Sequence, residues 1–475
     1  MFLRIQWPPM SQPRPFPCVW LSTVLFSLSL GVVLPPAFAT NPKVEPGISA
    51  SAKSKPKTEA LQPTILENSP TAIVDEVWQL VNHEFVDKTF NRTDWLAKRQ
   101  ELLGRTYQNR QQAYKAISQA LKQLDDPYTR FLNPDDFTQL TNQTSGEMSG
   151  VGLRLILDKQ TKDLMVLDTL KNSPAKKAGI QAGDRLVKVN GKPTALMTLE
   201  QASQEIQGEV GTEVSLQLMR PNKGVLNITL KRAQIELDAV TYSVKQEGPV
   251  RVGYIRLDEF SSHAAEQMKV AIEDLSQKNI KGYVLDLRGN PGGLLFASVD
   301  IARMWLKKGE IVSTIDRKGG DRHFVANGTE ITNLPLVILV NQGSASASEI
   351  LTGALKENGR ATIVGTNTYG KGTVQSVHSL SDGSGLAVTI ARYYPPSGTD
   401  INHKGINPDI YLDLSLDEQL RLRNDPSLLG TEADPQYNKA ISVLQYYGTS
   451  LSQPIQQPNP VGILPKEDHQ TVQQR

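Results

Sequence analysis

The sequence predicts an α+β multidomain protein, and three changes of pattern along its 475 residues lead to this prediction. Apolar residues recur with helical spacing from Ile73, short strands alternate with glycine-rich turns from Ser149, and buried-type strands alternate with helices from Ile235. The net charge of +2 gives no reason to expect nucleic-acid binding, and the single cysteine, Cys18, excludes a disulfide framework or a cysteine-based metal site. No metal or cofactor is expected.

The first 39 residues have the features of a secretory signal. Arg4 and Arg14 precede an apolar run over residues 19–34, and the Ala-Phe-Ala tripeptide at 37–39 matches a signal-peptidase site. A membrane anchor is the alternative, because the apolar run is close to the lower length limit of a membrane span. Residues 40–69 are rich in Pro, Lys and Ser, which predicts a disordered linker. We therefore expect an exported protein that works in a periplasm-like or lumenal space.

Residues 70–146 are predicted to form a helical N-terminal domain. A turn with Pro127 follows its third helix and contains the neighbouring carboxylates Asp125 and Asp126. Adjacent residues of a turn usually point apart and cap nearby backbone groups. We therefore expect these two aspartates to have a structural role and not to form a catalytic pair.

Residues 147–233 are predicted to form a small β domain that opens with a glycine loop, Gly150, Val151, Gly152 and Leu153. A short capped helix, a strand ending in Asn-Gly, a second helix and two paired strands follow, and this order resembles a PDZ domain. The glycine loop stands where that family binds a terminal carboxylate, since successive N–H groups can form an anion nest. The strand after it could accept a peptide by strand addition. The alternative is a small β domain that binds nothing.

The third region, residues 234–430, is organised around a serine at a strand–helix corner. The all-apolar residues 336–340 predict a buried strand, and three serines at alternate positions follow: Ser344, Ser346 and Ser348. A helix is predicted to begin at Ser346. Such a corner places a hydroxyl beside free backbone N–H groups, which suits a nucleophile facing an oxyanion site and equally suits a plain helix cap.

Lys371, flanked by glycines 25 residues after Ser346, has three interpretations. A phosphate loop is excluded, because Gly372 stands where a Ser or Thr metal ligand is required and a strand-like segment follows. A solvated lysine and a helix-capping Ser346 are the simplest interpretation, since Glu349 completes a capping box. The third is a serine–lysine pair, which requires burial to lower the lysine pKa from about 10.4.

In the serine–lysine interpretation the surrounding residues have defined uses. The Ala347 amide at the helix start could stabilise an oxyanion, and a second donor could come from the glycine-rich loop at 289–293. Gln375, four residues after Lys371, could hydrogen-bond the lysine amine and orient it. Local sequence alone leaves the three serines nearly equivalent as candidates.

Four features together resemble the C-terminal processing peptidases, also called tail-specific proteases. These are Ser-Ala-Ser-Ala-Ser-Glu around Ser346, Tyr-Gly-Lys-Gly-Thr-Val-Gln around Lys371, Leu-Asp-Leu-Arg-Gly-Asn-Pro-Gly-Gly ending at Gly293, and the PDZ-like insert. The resemblance covers about residues 73–414. The helical region looks most like the plant and cyanobacterial branch, which includes the lumenal enzyme that matures the photosystem II D1 protein.

The resemblance implies a serine endopeptidase without cofactors that acts on C-terminal tails of proteins, in a periplasm or a thylakoid lumen, close to membrane surfaces. Its fold would combine the helical region, a PDZ domain that gates substrate entry and a mixed α/β domain of the crotonase and ClpP type. The roles it implies are Ser346 as nucleophile, Lys371 as base, Gln375 as its support, the Ala347 and Gly292 amides as oxyanion hole, and Glu357 as an acid that some members carry. Many members have Arg where this chain has Gln207, so gating here is expected to differ.

Two other functions remain open. A Ser–His–Asp hydrolase has these candidate partners: His263, His323, His378, His403, Asp286 and Asp300. No Gly-x-Ser-x-Gly elbow is present, and Asp286 in an apolar run is expected to be a paired structural carboxylate. An inactive PDZ scaffold would have lost Ser346 or Lys371, and both are present. Residues 431–475 are predicted as a C-terminal helix and a disordered tail.

Overall fold

The computed structural model describes residues 69–158 and 160–452. The predicted signal (1–39), nearly all of the predicted linker (40–69) and the tail from residue 453 lie outside the described residues. None of the described helices is both long and apolar enough to cross a membrane.

The N-terminal region is mainly helical, as predicted. Its elements are α1 (Pro70–Glu84), α2 (Trp95–Leu103), α3 (Arg110–Leu121), β1 (Arg130–Leu132) and α4 (Pro134–Ser145). Each helix starts at a side chain that accepts a backbone N–H, namely Ser69, Asp94, Asn109 and Asn133. The apolar faces of α1, α2 and α3 pack on Leu380, Leu386 and Val388 of the third region, and Leu140 of α4 packs on Val377 and Ala387. The first and third regions therefore share one hydrophobic core.

The second region has the element order expected from the sequence. Its elements are β2 (Glu147–Gly150), β3 (Leu153–Leu157), β4 (Leu164–Thr169), α5 (Pro174–Lys177), β5 (Arg185–Val189), β6 (Lys192–Pro193), α6 (Leu199–Ile206), β7 (Glu213–Arg220), β8 (Gly224–Lys231) and β9 (Ala233–Glu236). Strands β3, β4, β5, β7 and β8 form one antiparallel sheet in that order, with β3 at the edge. Strands β2 and β9 pair with each other and connect this sheet to the rest of the molecule.

The third region contains two sheets. Its elements are β10 (Val240–Glu247), β11 (Val250–Leu257), α7 (Ala264–Ser276), β12 (Tyr283–Asp286), α8 (Leu295–Trp305), β13 (Glu310–Asp316), β14 (Asp321–Val325), β15 (Leu336–Val340), α9 (Ala347–Glu357), β16 (Thr362–Gly365), β17 (Thr373–Ser379), β18 (Gly385–Tyr394), β19 (Ile410–Tyr411), α10 (Leu416–Asn424) and α11 (Pro435–Ser452). Helices α7, α8 and α9 pack on one face of the sheet β10-β11-β12-β15-β16-β19. Helix α11 covers the other face.

The helices on both faces of this sheet explain why its central strands are mainly apolar. Every residue of β12 and β15 is buried, because a parallel strand between two helical layers has no solvent face. The second sheet has the order β1-β18-β13-β14, with β17 on the other edge of β18. Strand β1 comes from the N-terminal region, so the two regions are joined by backbone hydrogen bonds as well as by apolar packing.

Candidate active site

Three loops meet at one edge of the larger sheet. Strands β12, β15 and β16 are parallel neighbours, so the loops that follow them leave from the same side. The Ala345 amide donates to the Asn290 carbonyl (3.1 Å), and the Tyr369 amide donates to the Ser344 carbonyl (3.0 Å). The serine, lysine and glycine motifs, up to 82 residues apart in the sequence, therefore lie together.

Ser346 stands at the corner between β15 and α9 with a backbone conformation that a serine rarely adopts. Its φ is +54° and its ψ is −112°, and its side chain is nearly buried. Non-glycine residues hold such conformations at a cost of about 1–3 kcal/mol and are concentrated at functional sites. The Tyr393 hydroxyl donates to the Ser346 carbonyl (3.2 Å) and to the Lys371 carbonyl, so both backbones are attached to one buried side chain.

The three serines are no longer equivalent in the structure. Ser344 and Ser348 are fully buried, and their hydroxyls donate to the carbonyls of Leu287 (2.8 Å) and Asn290 (2.9 Å). The Ser346 hydroxyl donates to no acceptor among the residues that the structure describes. Ser344 and Ser348 therefore hold the loops together, and Ser346 has the hydroxyl that is available for chemistry.

Glu349 connects the serine and lysine loops, a role that the sequence did not reveal beyond the capping box. Its buried carboxylate accepts N–H bonds from Ser346 (2.9 Å), Lys371 (2.9 Å) and Gly370 (2.7 Å) and the Thr368 hydroxyl (2.5 Å). Burial raises the pKa of Glu349, while these four donors oppose the rise by favouring the charged form. The capping box predicted from the sequence is thus also the bridge between the two candidate catalytic loops.

Lys371 is buried, with only 3% of its surface exposed. Burial lowers its pKa from the ordinary value near 10.5 to about 7, and the positive charge of Arg130 adds to this effect. Asp126 and Glu349 act in the opposite direction. Since a lysine accepts a proton only when its amine is neutral, this environment provides the condition that the serine–lysine interpretation requires.

Gln375 lies on β17 and is buried. Its Nε2 donates to the hydroxyls of Thr373 (2.9 Å) and Thr389 (3.3 Å). Its Oε1 has no hydrogen-bond partner among the described residues. A buried acceptor without a donor is unfavourable by about 1–3 kcal/mol, so this oxygen is available to accept from an amine.

The structure brings Gly292 against the serine corner. A Cβ atom at Gly292, whose φ is +107°, would lie 3.0 Å from the Ala347 nitrogen and 3.0 Å from the Ser346 Cβ, which requires glycine here. The Ala347 N–H starts α9 and has no acceptor within the helix. The Gly292 N–H donates to Asn290 Oδ1 (2.8 Å), so it must exchange this partner before it can donate to a substrate.

The other predicted residues lie away from this cluster. His263, His323 and His378 pair with Glu147, Glu310 and Glu84, and the His403 side chain is exposed. Glu357 lies at the opposite end of α9 from Ser346, where its carboxylate accepts from Ser397. Asp286 is a paired structural carboxylate, as expected, bound to Arg288, which also pairs with Asp434.

The glycine loop of the second region also has the geometry of a binding loop. The N–H groups of Val151 and Gly152 donate to no partner among the described residues, and Gly152 has a φ of +77°. Edge strand β3 begins at Leu153, and Ile156 and Leu157 on it are 41% and 46% exposed. An open apolar edge next to a loop of free N–H groups matches the requirements for a peptide that ends in a carboxylate.

Gln207, the position that departs from the resemblance, caps the C-terminal end of α6. The cation at that helix end is instead Arg232, whose guanidinium donates to the carbonyls of Ile206 (2.8 Å) and Glu205 (2.9 Å). Within the described residues, no group of three or more His, Cys, Asp or Glu side chains could hold a metal ion.

Comparison with known proteins identifies the family. Residues 251–412 match the model of peptidase family S41, and residues 165–220 match that of the PDZ domain. The carboxyl-terminal-processing protease of Synechocystis sp. is 41% identical over 389 residues, which cover 80% of this chain and 90% of that protein. The chain belongs to peptidase family S41.

Other members of the family are similar over most of the chain. Carboxyl-terminal-processing peptidase 3 of Arabidopsis thaliana, a chloroplastic protein, is 40% identical over 349 residues, which cover 70% of this chain and 67% of that protein. The solved photosystem II D1 C-terminal processing protease is 38% identical, covers 78% of this chain and 100% of its own, and has a TM-score of 0.49.

The two family models and the similar sequences confirm the family and the fold class that the sequence indicated. The S41 chain is a serine endopeptidase of the carboxyl-terminal-processing group, and its second region is a PDZ domain.

Proposed function

We propose that Ser346 and Lys371 form the catalytic dyad of this S41 peptidase. The observation that supports this proposal most is the buried Lys371 side chain, whose pKa is lowered to about 7 on a loop tied to Ser346 by Glu349. A neutral amine in this position can remove the serine proton near neutral pH. Three histidines pair with glutamates at other places in the molecule, so the histidine alternative has no comparable support.

The proposed reaction follows the usual steps of acyl transfer. The Lys371 amine takes the proton of the Ser346 hydroxyl as its oxygen attacks the carbonyl carbon of the peptide bond. The Ala347 N–H and the Gly292 N–H donate to the resulting oxyanion, after Gly292 releases the Asn290 oxygen. The lysine ammonium then gives its proton to the leaving amine, and a water molecule hydrolyses the acyl-enzyme. Gln375 Oε1 accepts from the amine and holds its direction.

We further propose that the PDZ domain selects substrates by their C-terminal tails. The tail carboxylate would bind the free N–H groups of Val151 and Gly152, and the tail backbone would extend the sheet along β3. Apolar side chains of the tail would cover Ile156 and Leu157. The residues before the tail would then reach Ser346 for cleavage.

The compartment and the natural substrate are also proposals. The signal-like first 39 residues support export to a periplasm or a thylakoid lumen. The resemblance to the plant and cyanobacterial branch makes the photosystem II D1 precursor the first natural substrate to test. Its processed tail would be short and unstructured, and it would be presented at a membrane surface.

The dyad is tested with a fluorogenic peptide that ends in a free apolar C-terminus. We expect Lys371→Ala and Ser346→Ala to abolish cleavage, while both bind a labelled tail peptide as the wild type does. The matched control is Lys356→Ala, which removes an α9 lysine that bonds the Asn407 carbonyl. Cleavage by Lys371→Ala at the wild-type rate would exclude the dyad. Loss of activity in His403→Ala, together with retention in Lys371→Ala, would favour the histidine alternative.

A further inference from the structure

A turn of the N-terminal region lies directly on the proposed catalytic base. The Tyr128 ring covers Lys371, with the amine nitrogen 4.3 Å from the ring centroid. Tyr128 is half-buried, and its hydroxyl lies close to that of Tyr369, which is two residues before the lysine. One wall of the amine's surroundings is therefore contributed by a residue 243 positions away in the sequence.

The turn is held in place by hydrogen bonds. Asp126 accepts from the Tyr128 N–H (3.1 Å) and from the Thr129 hydroxyl (2.6 Å), as expected for a structural aspartate. The Thr129 hydroxyl accepts from the Thr389 N–H (3.0 Å), and the Thr389 hydroxyl accepts from Gln375 (3.3 Å). The turn is thus attached to β18, and the same Thr389 accepts a hydrogen bond from Gln375 on β17, the proposed support of the lysine.

The charged and titratable groups around the amine come from several elements. Arg130 and Asp126 face it from the turn, and Glu349 faces it from α9. Tyr128 covers it, and Tyr393 bonds the lysine carbonyl from β18. An aromatic face attracts a cation, but it cannot replace the water shell of an ammonium group. The net effect of the cover is therefore to favour the neutral amine.

We propose that the turn from Asp126 to Arg130 is part of the catalytic apparatus, with Tyr128 as a positioning residue that excludes water from the Lys371 amine and so keeps it neutral and directed. This inference rests on the proposed role of Lys371 as base. It gives the N-terminal region a function in catalysis in addition to its packing. Separation of this region from the third region would admit water to the amine. The amine would then be protonated at neutral pH and could not accept the serine proton.

The test is the pH profile of kcat/KM for Tyr128→Ala and Tyr128→Phe, measured with the fluorogenic peptide from pH 5.5 to 9. We expect Tyr128→Ala to shift the midpoint of the acidic limb to a pH at least about 1 unit higher, since burial shifts lysine pKa values by up to 3–5 units. Activity at pH 6 would then fall about tenfold or more, while the alkaline plateau stays within about threefold of wild type. Tyr128→Phe keeps the ring and should retain the wild-type limb.

Two results would overturn the inference: an unchanged acidic limb in Tyr128→Ala, or an equal loss at every pH in both variants, which would indicate a structural role only. If Tyr128→Ala does not fold, Arg130→Gln gives a second test. Removal of this positive charge should also move the acidic limb of the kcat/KM profile to higher pH, whereas Arg130→Lys keeps the charge and should leave the limb at its wild-type pH. Acidic limbs at the same pH in both variants would count against the inference.

The failure of this inference is distinguishable from failure of the dyad. Wild-type cleavage by Lys371→Ala would remove the base itself and with it both proposals. An inactive Lys371→Ala together with a wild-type profile in Tyr128→Ala would leave the dyad intact and reject only the role of the turn.

Discussion

Replacement of Glu349 by glutamine tests whether the buried carboxylate holds the two proposed catalytic loops, those of Ser346 and Lys371, in register. The carboxylate accepts four hydrogen bonds from buried donors, including the amides of Ser346 and Lys371. An amide of the same shape keeps one acceptor oxygen and replaces the other with an NH₂ group. That group would face backbone N–H groups or a hydroxyl, so two of the four bonds are lost.

The expected magnitude follows from these bonds. Each buried polar group left unsatisfied costs about 1–3 kcal/mol, so two groups lower the free energy of unfolding by about 2–6 kcal/mol. This is a large part of the total of about 5–15 kcal/mol for a typical protein. We also expect kcat/KM to fall by at least about 100-fold, because a displacement of about 1 Å in a reacting group can cost this much.

The measurement combines urea unfolding with peptide cleavage. Glu418→Gln is the matched control, because Glu418 forms the same capping box with Ser415 on α10. The glutamine at position 418 can still accept the Ser415 N–H in a capping box at this exposed site, so the control should leave both stability and kcat/KM close to the wild-type values. Wild-type stability and activity in Glu349→Gln would refute the role of the carboxylate as a bridge. A loss of stability with full activity would refute only its catalytic consequence.

Three further predictions concern other parts of the molecule. Because the Lys371 pKa is about 7 and only the neutral amine accepts a proton, wild-type kcat/KM should fall about tenfold per pH unit below pH 7, and a flat profile down to pH 5 would contradict this. Gly152→Ala places a Cβ 2.2 Å from the Ser173 Cβ, so the loop must shift and its N–H groups move. Fluorescence anisotropy should then show that a labelled tail peptide binds at least about tenfold more weakly. Unaltered binding would argue against this loop as the carboxylate site. Asp434→Ala removes one of the two carboxylates that pair with the buried Arg288, so the free energy of unfolding should fall by about 3–5 kcal/mol. Denaturant titration measures this change, and a decrease of less than about 1 kcal/mol would contradict the prediction.

The sequence alone was sufficient for the order of elements in the second region and for the family. Apolar runs such as residues 336–340 predicted buried strands, and the capping box of Ser346 and Glu349 predicted a helix start, because both signals depend on neighbours in the chain. The motifs around Ser346 and Lys371 indicated the peptidase family, which the comparisons confirmed. The signal and the tail predictions concern residues outside the described ranges and stay predictions.

The tertiary structure decided which residues meet. Local sequence could not separate Ser346 from its two neighbouring serines, because the difference depends on carbonyl acceptors in a loop more than 50 residues away. It could not show that Glu349 serves two loops, since a capping box looks the same whether or not a second loop binds it. It also gave no indication that Tyr128 covers Lys371.

The physical reason is the range over which each property is determined. Secondary structure and motif chemistry depend on a few adjacent residues, so the sequence of this protein was enough to predict a serine, a lysine and a glycine loop with the right chemistry. Burial, and with it the lowered pKa of Lys371, depends on groups that three distant segments bring together. Only the folded chain places Arg130, Tyr128 and Glu349 around that amine, and the proposed role of Lys371 as base depends on this arrangement.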